Sequence, residues 1–156
     1  MKNYEKTITY QQAKQIFFLT QDFTQKFLNE YKDRRLIEQM ISSARSIKQN
    51  LSEGATRNSI KDYIQFIGFS RASGEELLED YKDLAELWKI KVVRPSLSSL
   101  PSLSSSRSET VNQMIDLVAR NNYLEDQQRR SLEKHFITHG GYTENLAKKR
   151  RIHRGY

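Results

Sequence analysis

Apolar residues in this chain recur every three or four positions, the period of an amphipathic helix. In the first such stretch, about 8–32, Ile16, Leu19, Phe23 and Phe27 form the stripe, and Phe17, Phe18, Leu28 and Tyr31 widen it. A stripe that wide predicts contact with more than one neighbour, inside a bundle or across a subunit boundary. A second helix is predicted over about 34–56 from Ile37, Met40, Ile41, Ala44, Ile47 and Leu51. The small Ala44 would let another helix approach closely. The third predicted helix, about 60–88, is the longest, ~43 Å at 1.5 Å per residue. Ile60, Tyr63, Ile64, Ile67, Gly74, Leu77, Leu78, Tyr81, Leu84, Ala85 and Trp88 keep its period. Ser59 reads as its N-cap, with Asp62 three positions on in a capping-box-like pair. The small residues of "SRASG", 70–74, predict close helix packing there, with a kink as the alternative.

The pattern then breaks. "RPSLSSLPSLSSSRS", 94–108, holds both prolines and eight serines, and a helix cannot run through Pro95. A long connection over about 91–106 is expected, with some anchoring by leucine. Ser106 and Glu109 form an S-x-x-E capping box for a fourth helix carrying Val111, Met114, Ile115, Leu117, Val118 and Tyr123. "NNY" at 121–123 is a candidate bend, after which Leu124, Leu132, Phe136 and Ile137 resume the stripe. Gly140–Gly141 is a strong stop, with glycine as the left-handed cap. "YTENLAKKRRIHRGY" follows, expected as a short helix and tail.

Two prolines, six glycines and no alternating β-branched runs in 156 residues point to an all-α protein. The organisation expected is a bundle domain over 1–139 and a basic C-terminal extension over 140–156. The absence of cysteine excludes disulfides, thiolate metal sites and a cysteine nucleophile. No apolar run approaches the ~18–20 residues that span a bilayer, and the polar start "MKNYEKTITYQQAK" does not read as a signal peptide. A cytoplasmic location without membrane attachment is the expectation. The net charge of +7 is unevenly placed: residues 1–90 hold 14 Lys and Arg against 13 Asp and Glu, residues 91–156 hold 12 against 6. A basic C-terminal third suggests a polyanionic partner, nucleic acid foremost.

No catalytic constellation emerges. His135 and His139 sit at i, i+4, a spacing that can present two imidazoles to one metal, but no adjacent Glu or third ligand accompanies them. Two exposed histidines favoured at a helix C-terminus are the simpler reading. Glu75, Glu76, Glu79, Asp80, Asp83 and Glu86 read as a solvated acidic face, able in an oligomer to meet a basic patch on a neighbour. Neither "EGATR" nor "HGGYT" matches a phosphate-binding loop, and no cofactor is implied. The basic cluster is the stronger signal. Lys148, Lys149, Arg150, Arg151 and Arg154 fall within seven residues, with Arg129 and Arg130 upstream. Such runs neutralise phosphates without reading sequence, and Tyr142 and Tyr156 flank the run as candidate base-stacking groups. The plain alternative is a charged, solubilising tail.

"SIKQNLSEGATRNSIKDYIQFIGFSRASGEELLEDYKDL", 46–84, resembles the signature of the bacterial four-helix-bundle family. That family includes proteins encoded in intervening sequences of large-subunit ribosomal RNA genes and the accessory variability protein of diversity-generating retroelements. Its pattern is approximately S-I-x-x-N-I-x-E-G, an R-x-S turn, then F/Y-x-x-F/I and a small-residue S/G-S-x-x-E-L-E segment. Ser46, Ile47, Asn50, Leu51, Glu53 and Gly54 match the first part, Arg57 and Ser59 the turn, and Tyr63, Ile67, Ala72, Ser73, Glu76, Leu77 and Glu79 the last. Tyr123, Leu124, Asp126, Gln128, Gly140, Gly141, Glu144, Leu146 and Arg150 resemble a suffix region of one subgroup. The Ser/Pro linker is not part of that pattern.

The resemblance implies an up-down-up-down four-helix bundle that self-associates, with pentameric rings the best-known arrangement. The retroelement protein of that family is associated with nucleic acid and a reverse transcriptase, and nothing in the family pattern implies catalysis. Within this frame Asn50, Glu53 and Gly54 are an architectural signature. Asn50 and Glu53 are expected to satisfy polar groups near the second interhelical turn, with Arg71 and Tyr63 as partners, because a buried polar network fixes one register. The leading functional expectation is a non-enzymatic homo-oligomer that binds RNA or DNA through its basic residues. A protein-interaction scaffold is the alternative, and an enzyme or metal protein using His135, His139 or the Glu75–Glu86 cluster is the third possibility.

Overall fold

A computed structural model of the chain describes residues 1–94 and 105–155. Every regular element among them is helical: a 3-10 turn at Asn3–Lys6, then α1 (Ile8–Phe27), α2 (Arg34–Ala55), α3 (Ile60–Leu87), α4 (Arg107–His139) and α5 (Tyr142–Arg154). The first four α-helices pack as a bundle, α1 against α2 and α4, and α3 against α2 and α4. The core is a single cluster with Phe23, Met40, Ile47, Ile67, Leu77, Tyr81, Met114 and Val118 at its centre. Facing pairs run in opposed order. Gln39, Ser43 and Ser46 of α2 meet Asp80, Glu76 and Ser73 of α3, and Tyr63, Ser70 and Gly74 of α3 face Gln128, Glu125 and Asn122 of α4.

Local chemistry explains the helix ends. α1 stops at Phe27, short of the expected 32, because Asn29 Oδ1 accepts hydrogen bonds from the amides of Tyr31 and Lys32, both at 3.0 Å. Asp33 Oδ2 also accepts the Asn29 amide at 2.8 Å. Such side-chain turns compete with helix. Tyr31 therefore lies outside the helix, 89% exposed, and does not widen the stripe. The stripe is completed instead by the buried threonines 9, 20 and 24, Thr20 hydrogen-bonding the Tyr81 hydroxyl at 2.9 Å. Ser59 and Ser106 cap α3 and α4 as expected, accepting from the amides of Asp62 and Glu109.

α4 runs unbroken through "NNY". Asn121 and Asn122, at the candidate bend, are buried within that continuous helix. The exit of α3 is pinned to the start of α4. Asn112 Nδ2 donates to the Lys91 carbonyl at 3.2 Å, its Oδ1 accepts from the Val93 amide at 2.7 Å, and the Arg107 guanidinium lies 4.2 Å from the Trp88 ring centroid. The expected linker thus begins with a tethered segment at 91–93. Its middle, residues 95–104, lies outside the described residues, as does Tyr156.

Candidate nucleic-acid interface

The run 148–154 lies on α5, the only α-helix of the described residues that buries none of its own side chains. Two glycines place it. Gly140 has φ +74°, where L side chains are strained, and a Cβ there would sit 2.4 Å from the Glu144 carboxylate. Its ψ of 179° is extended, so the chain leaves α4 in an open turn and not through the left-handed helical cap expected. At Gly141 a Cβ would come within 2.7 Å of the Phe136 ring. The glycines thus stop α4 and start a new helix at once. Glu144 in the first turn and Arg151, His153 and Arg154 in the last complement the α5 dipole.

Lys148, Lys149, Arg150, Arg151 and Arg154 are all exposed, and none forms an ion pair among the described residues. Their charge is therefore open to an external anion. Arg130 is exposed on α4, two to three turns before its end. Arg129 is less available, with Nε 3.9 Å from Glu133 Oε1. The structure brings the five C-terminal cations together on one helix and leaves Arg129 and Arg130 on another. Tyr142 is 47% exposed at the start of α5.

The signature residues do not form the expected network. Asn50 bonds back to its own helix, Nδ2 donating to the Ser46 carbonyl at 2.9 Å and to Ser46 Oγ at 3.0 Å. Ser46 Oγ in turn accepts from Ser73 across the α2–α3 interface. Glu53 pairs with Arg57 at 2.8 Å, on the surface. Arg71 reaches Glu75 at 2.7 Å and Asp126 at 3.2 Å, and Tyr63 accepts a hydrogen bond from Gln128 at 2.7 Å. Each of these side chains finds a nearer group on its own turn or on α4. Gly54 is architectural: a Cβ would lie 2.6 Å from Phe66 Cβ and 2.9 Å from the Tyr63 ring.

The polar interior went unread in the sequence. Asn121 and Glu125 are fully buried, and Gln128 links α1 to α3 by accepting from Thr9 Oγ1 and donating to the Tyr63 hydroxyl, both at 2.7 Å. Their signal was available, since positions 114, 118, 121, 125 and 128 continue one helical stripe in which residue type, not spacing, changes. Asp80 is also buried, at 7% exposure, and not part of a wholly solvated face. Burial first, then Asp83 and Glu76, push its carboxyl up to about 6, against a hydrogen bond from Gln39. Asp80 lines an open groove with Glu75, Glu76, Glu79, Asp83, Gln39 and Ala72; Glu86 lies outside it.

His135 and His139 stack, centroids 4.4 Å apart and planes 16° apart, so their ring nitrogens do not converge on one point. Among the described residues no group of three or more His, Asp or Glu is placed to hold a metal. No helix of the described residues is long and apolar enough to cross a membrane.

No curated protein matches the chain. A family model described as 23S rRNA-intervening sequence protein matches residues 5–90, more than half of the chain and the whole of α1, α2 and α3. This is the family that the 46–84 signature resembles. The chain belongs to the 23S rRNA-intervening sequence protein family.

Proposed function

We propose that this chain is a non-enzymatic, homo-oligomeric helical bundle that binds RNA or DNA through basic surfaces, as an accessory to a nucleic-acid-processing partner such as a reverse transcriptase. The observation that carries the reading is α5: five Lys and Arg side chains in two turns, exposed and without carboxylate partners among the described residues. Concentrated unneutralised charge repels itself, and phosphates relieve that repulsion while releasing counterions. Arg130 and, after leaving Glu133, Arg129 extend the surface. The opposed order of facing residues supports an up-down-up-down bundle, a rigid platform for this helix. Self-association, five subunits by family resemblance, would multiply a weak site through avidity.

Fluorescence anisotropy with labelled RNA and DNA across a salt series tests the proposal. Affinity is expected to fall with salt at a log–log slope of about −2 to −4.5, matching three to five phosphate contacts. Deleting residues 147–156 should remove most of the affinity. Absent binding, or binding indifferent to salt, overturns the reading. The acidic groove lined by Glu75, Glu76, Glu79, Asp80 and Asp83 favours a second reading, a protein-interaction scaffold. On that reading the same deletion leaves partner capture intact.

A further inference from the structure

The placement of charge around α5 narrows the nucleic acid. Successive helix residues are about 100° apart, so residues two apart lie about 200° apart, on nearly opposite sides. Lys148 opposes Arg150, and Lys149 opposes Arg151. Arg154 falls between Arg150 and Arg151. All five are exposed, as are residues 142–154 throughout, so no side of the helix is taken by the bundle. A helix that lies along a single phosphate strand needs its cations on one face. Cations on opposite sides need anions on opposite sides.

The major groove of B-form DNA supplies them. It is about 12 Å wide, walled by two phosphate strands, and admits a helix of about 10–12 Å diameter. The thirteen residues of α5 extend ~20 Å, enough to follow about six base pairs of that groove. A single strand can meet both sides only by wrapping, at a cost in chain entropy. The major groove of A-form RNA is too narrow and deep to receive a helix. The Gly140–Gly141 turn sets α5 off as a helix distinct from the 33-residue α4, which carries Arg130 and Lys134 on its exposed surface for the flanking backbone. We infer that α5 enters the major groove of double-stranded DNA, with Lys148 and Lys149 addressing one phosphate wall and Arg150 and Arg151 the other. This rests on the nucleic-acid reading above and specifies its ligand.

The test uses the full chain and three labelled probes of equal length: a 16-base-pair DNA duplex, one of its single strands, and the corresponding RNA duplex. Duplex DNA is expected to bind at least tenfold more tightly than the other two and to be displaced by a major-groove dye but not by a minor-groove binder. Lys148→Ala and Arg150→Ala, on opposite sides, should each reduce the salt slope on duplex DNA by about one. Ile152→Pro keeps every charge and breaks the helix inside the cation run; it should bring duplex affinity down to that of the single strand and leave single-strand binding unchanged. Circular dichroism confirms that the bundle stays folded in each variant.

Equal affinity for all three probes overturns the groove assignment and leaves nucleic-acid binding standing. So does one of the two alanine variants being silent while the other loses binding, or Ile152→Pro binding duplex DNA like the parent. Tighter binding of the RNA duplex also overturns it. Failure to bind any probe at low salt overturns both readings.

Discussion

Ser70 Oγ lies 2.9 Å from the Ile47 carbonyl oxygen and 3.0 Å from Glu125 Oε1, yet a hydroxyl has one proton to give. A neutral Glu125 resolves this: its carboxyl proton serves Ser70, and the Ser70 proton serves Ile47. Burial drives the Glu125 carboxyl up to about 8, against the Arg71 charge and the hydrogen bond from Asn121. The folded value lies above the ordinary 4.5, so the native state holds the proton more tightly. The resulting stability is complete below about pH 4.5 and is lost at up to about 1.4 kcal/mol per pH unit towards pH 8. Asp80 adds a loss of the same sign between about pH 4 and 6. Glu125→Gln should therefore raise the melting temperature relative to the parent at pH 8.5, and the gain should shrink by pH 5; a gain independent of pH would show that Glu125 is charged in the native state. Gly54→Ala sets two magnitudes against each other. Helix propensity favours Ala by up to ~1 kcal/mol, whereas overpacking costs ~1–3 kcal/mol. Phe66 Cβ, 2.6 Å from the added methyl, is fixed to its backbone and cannot rotate away, so overpacking wins. A net loss of about 1–2 kcal/mol in urea unfolding is expected.

At the scale of elements, α4 is held differently from its neighbours. Its first half contributes Val111, Met114, Ile115, Leu117 and Val118 to the core, whereas 121–128 contribute Asn121, Asn122, Glu125, Asp126 and Gln128. Small residues on α3 make room: a Cβ on Gly74 would lie 2.0 Å from Asn122 Oδ1. The close approach expected at "SRASG" is thus real, and its partner is a polar helix face. Helix existence and ends were legible because caps and stripes are local; α2, α3 and α4 begin and end within a residue of expectation. The α1 terminus was not, because an Asn–Asp turn overrode an apolar stripe. Asn112 is the latch of α4 on the α3 exit. Asn112→Ala leaves the Val93 amide and Lys91 carbonyl without this partner and should cost about 1–3 kcal/mol. Limited proteolysis should show faster cleavage between 88 and 106, while an unchanged cleavage rate would remove the latch role.

For the whole molecule, charge and packing are separated along the chain. The family match ends at residue 90, before α4 begins, and the charge excess lies beyond it. A helix with no buried residue adds little to folding stability. Deleting residues 147–156 should therefore shift the unfolding free energy by no more than about 0.5 kcal/mol while removing most of the polyanion affinity. A large loss of stability would show that α5 packs in solution and would undercut the open basic helix on which both functional inferences depend.

The sequence by itself determined the helical class, the helix caps, the family signature and the concentration of cations near the C-terminus. Each follows from periodicity, local hydrogen bonding or composition, which do not need distant residues. Only the tertiary structure decided that Asn121 and Glu125 are interior, that Asn50 and Glu53 satisfy themselves locally, and that Gly54 exists to admit Phe66 and Tyr63. The physical reason is that a polar side chain takes the nearest partner in three dimensions, and an apolar stripe read along the chain does not say which helix supplies it.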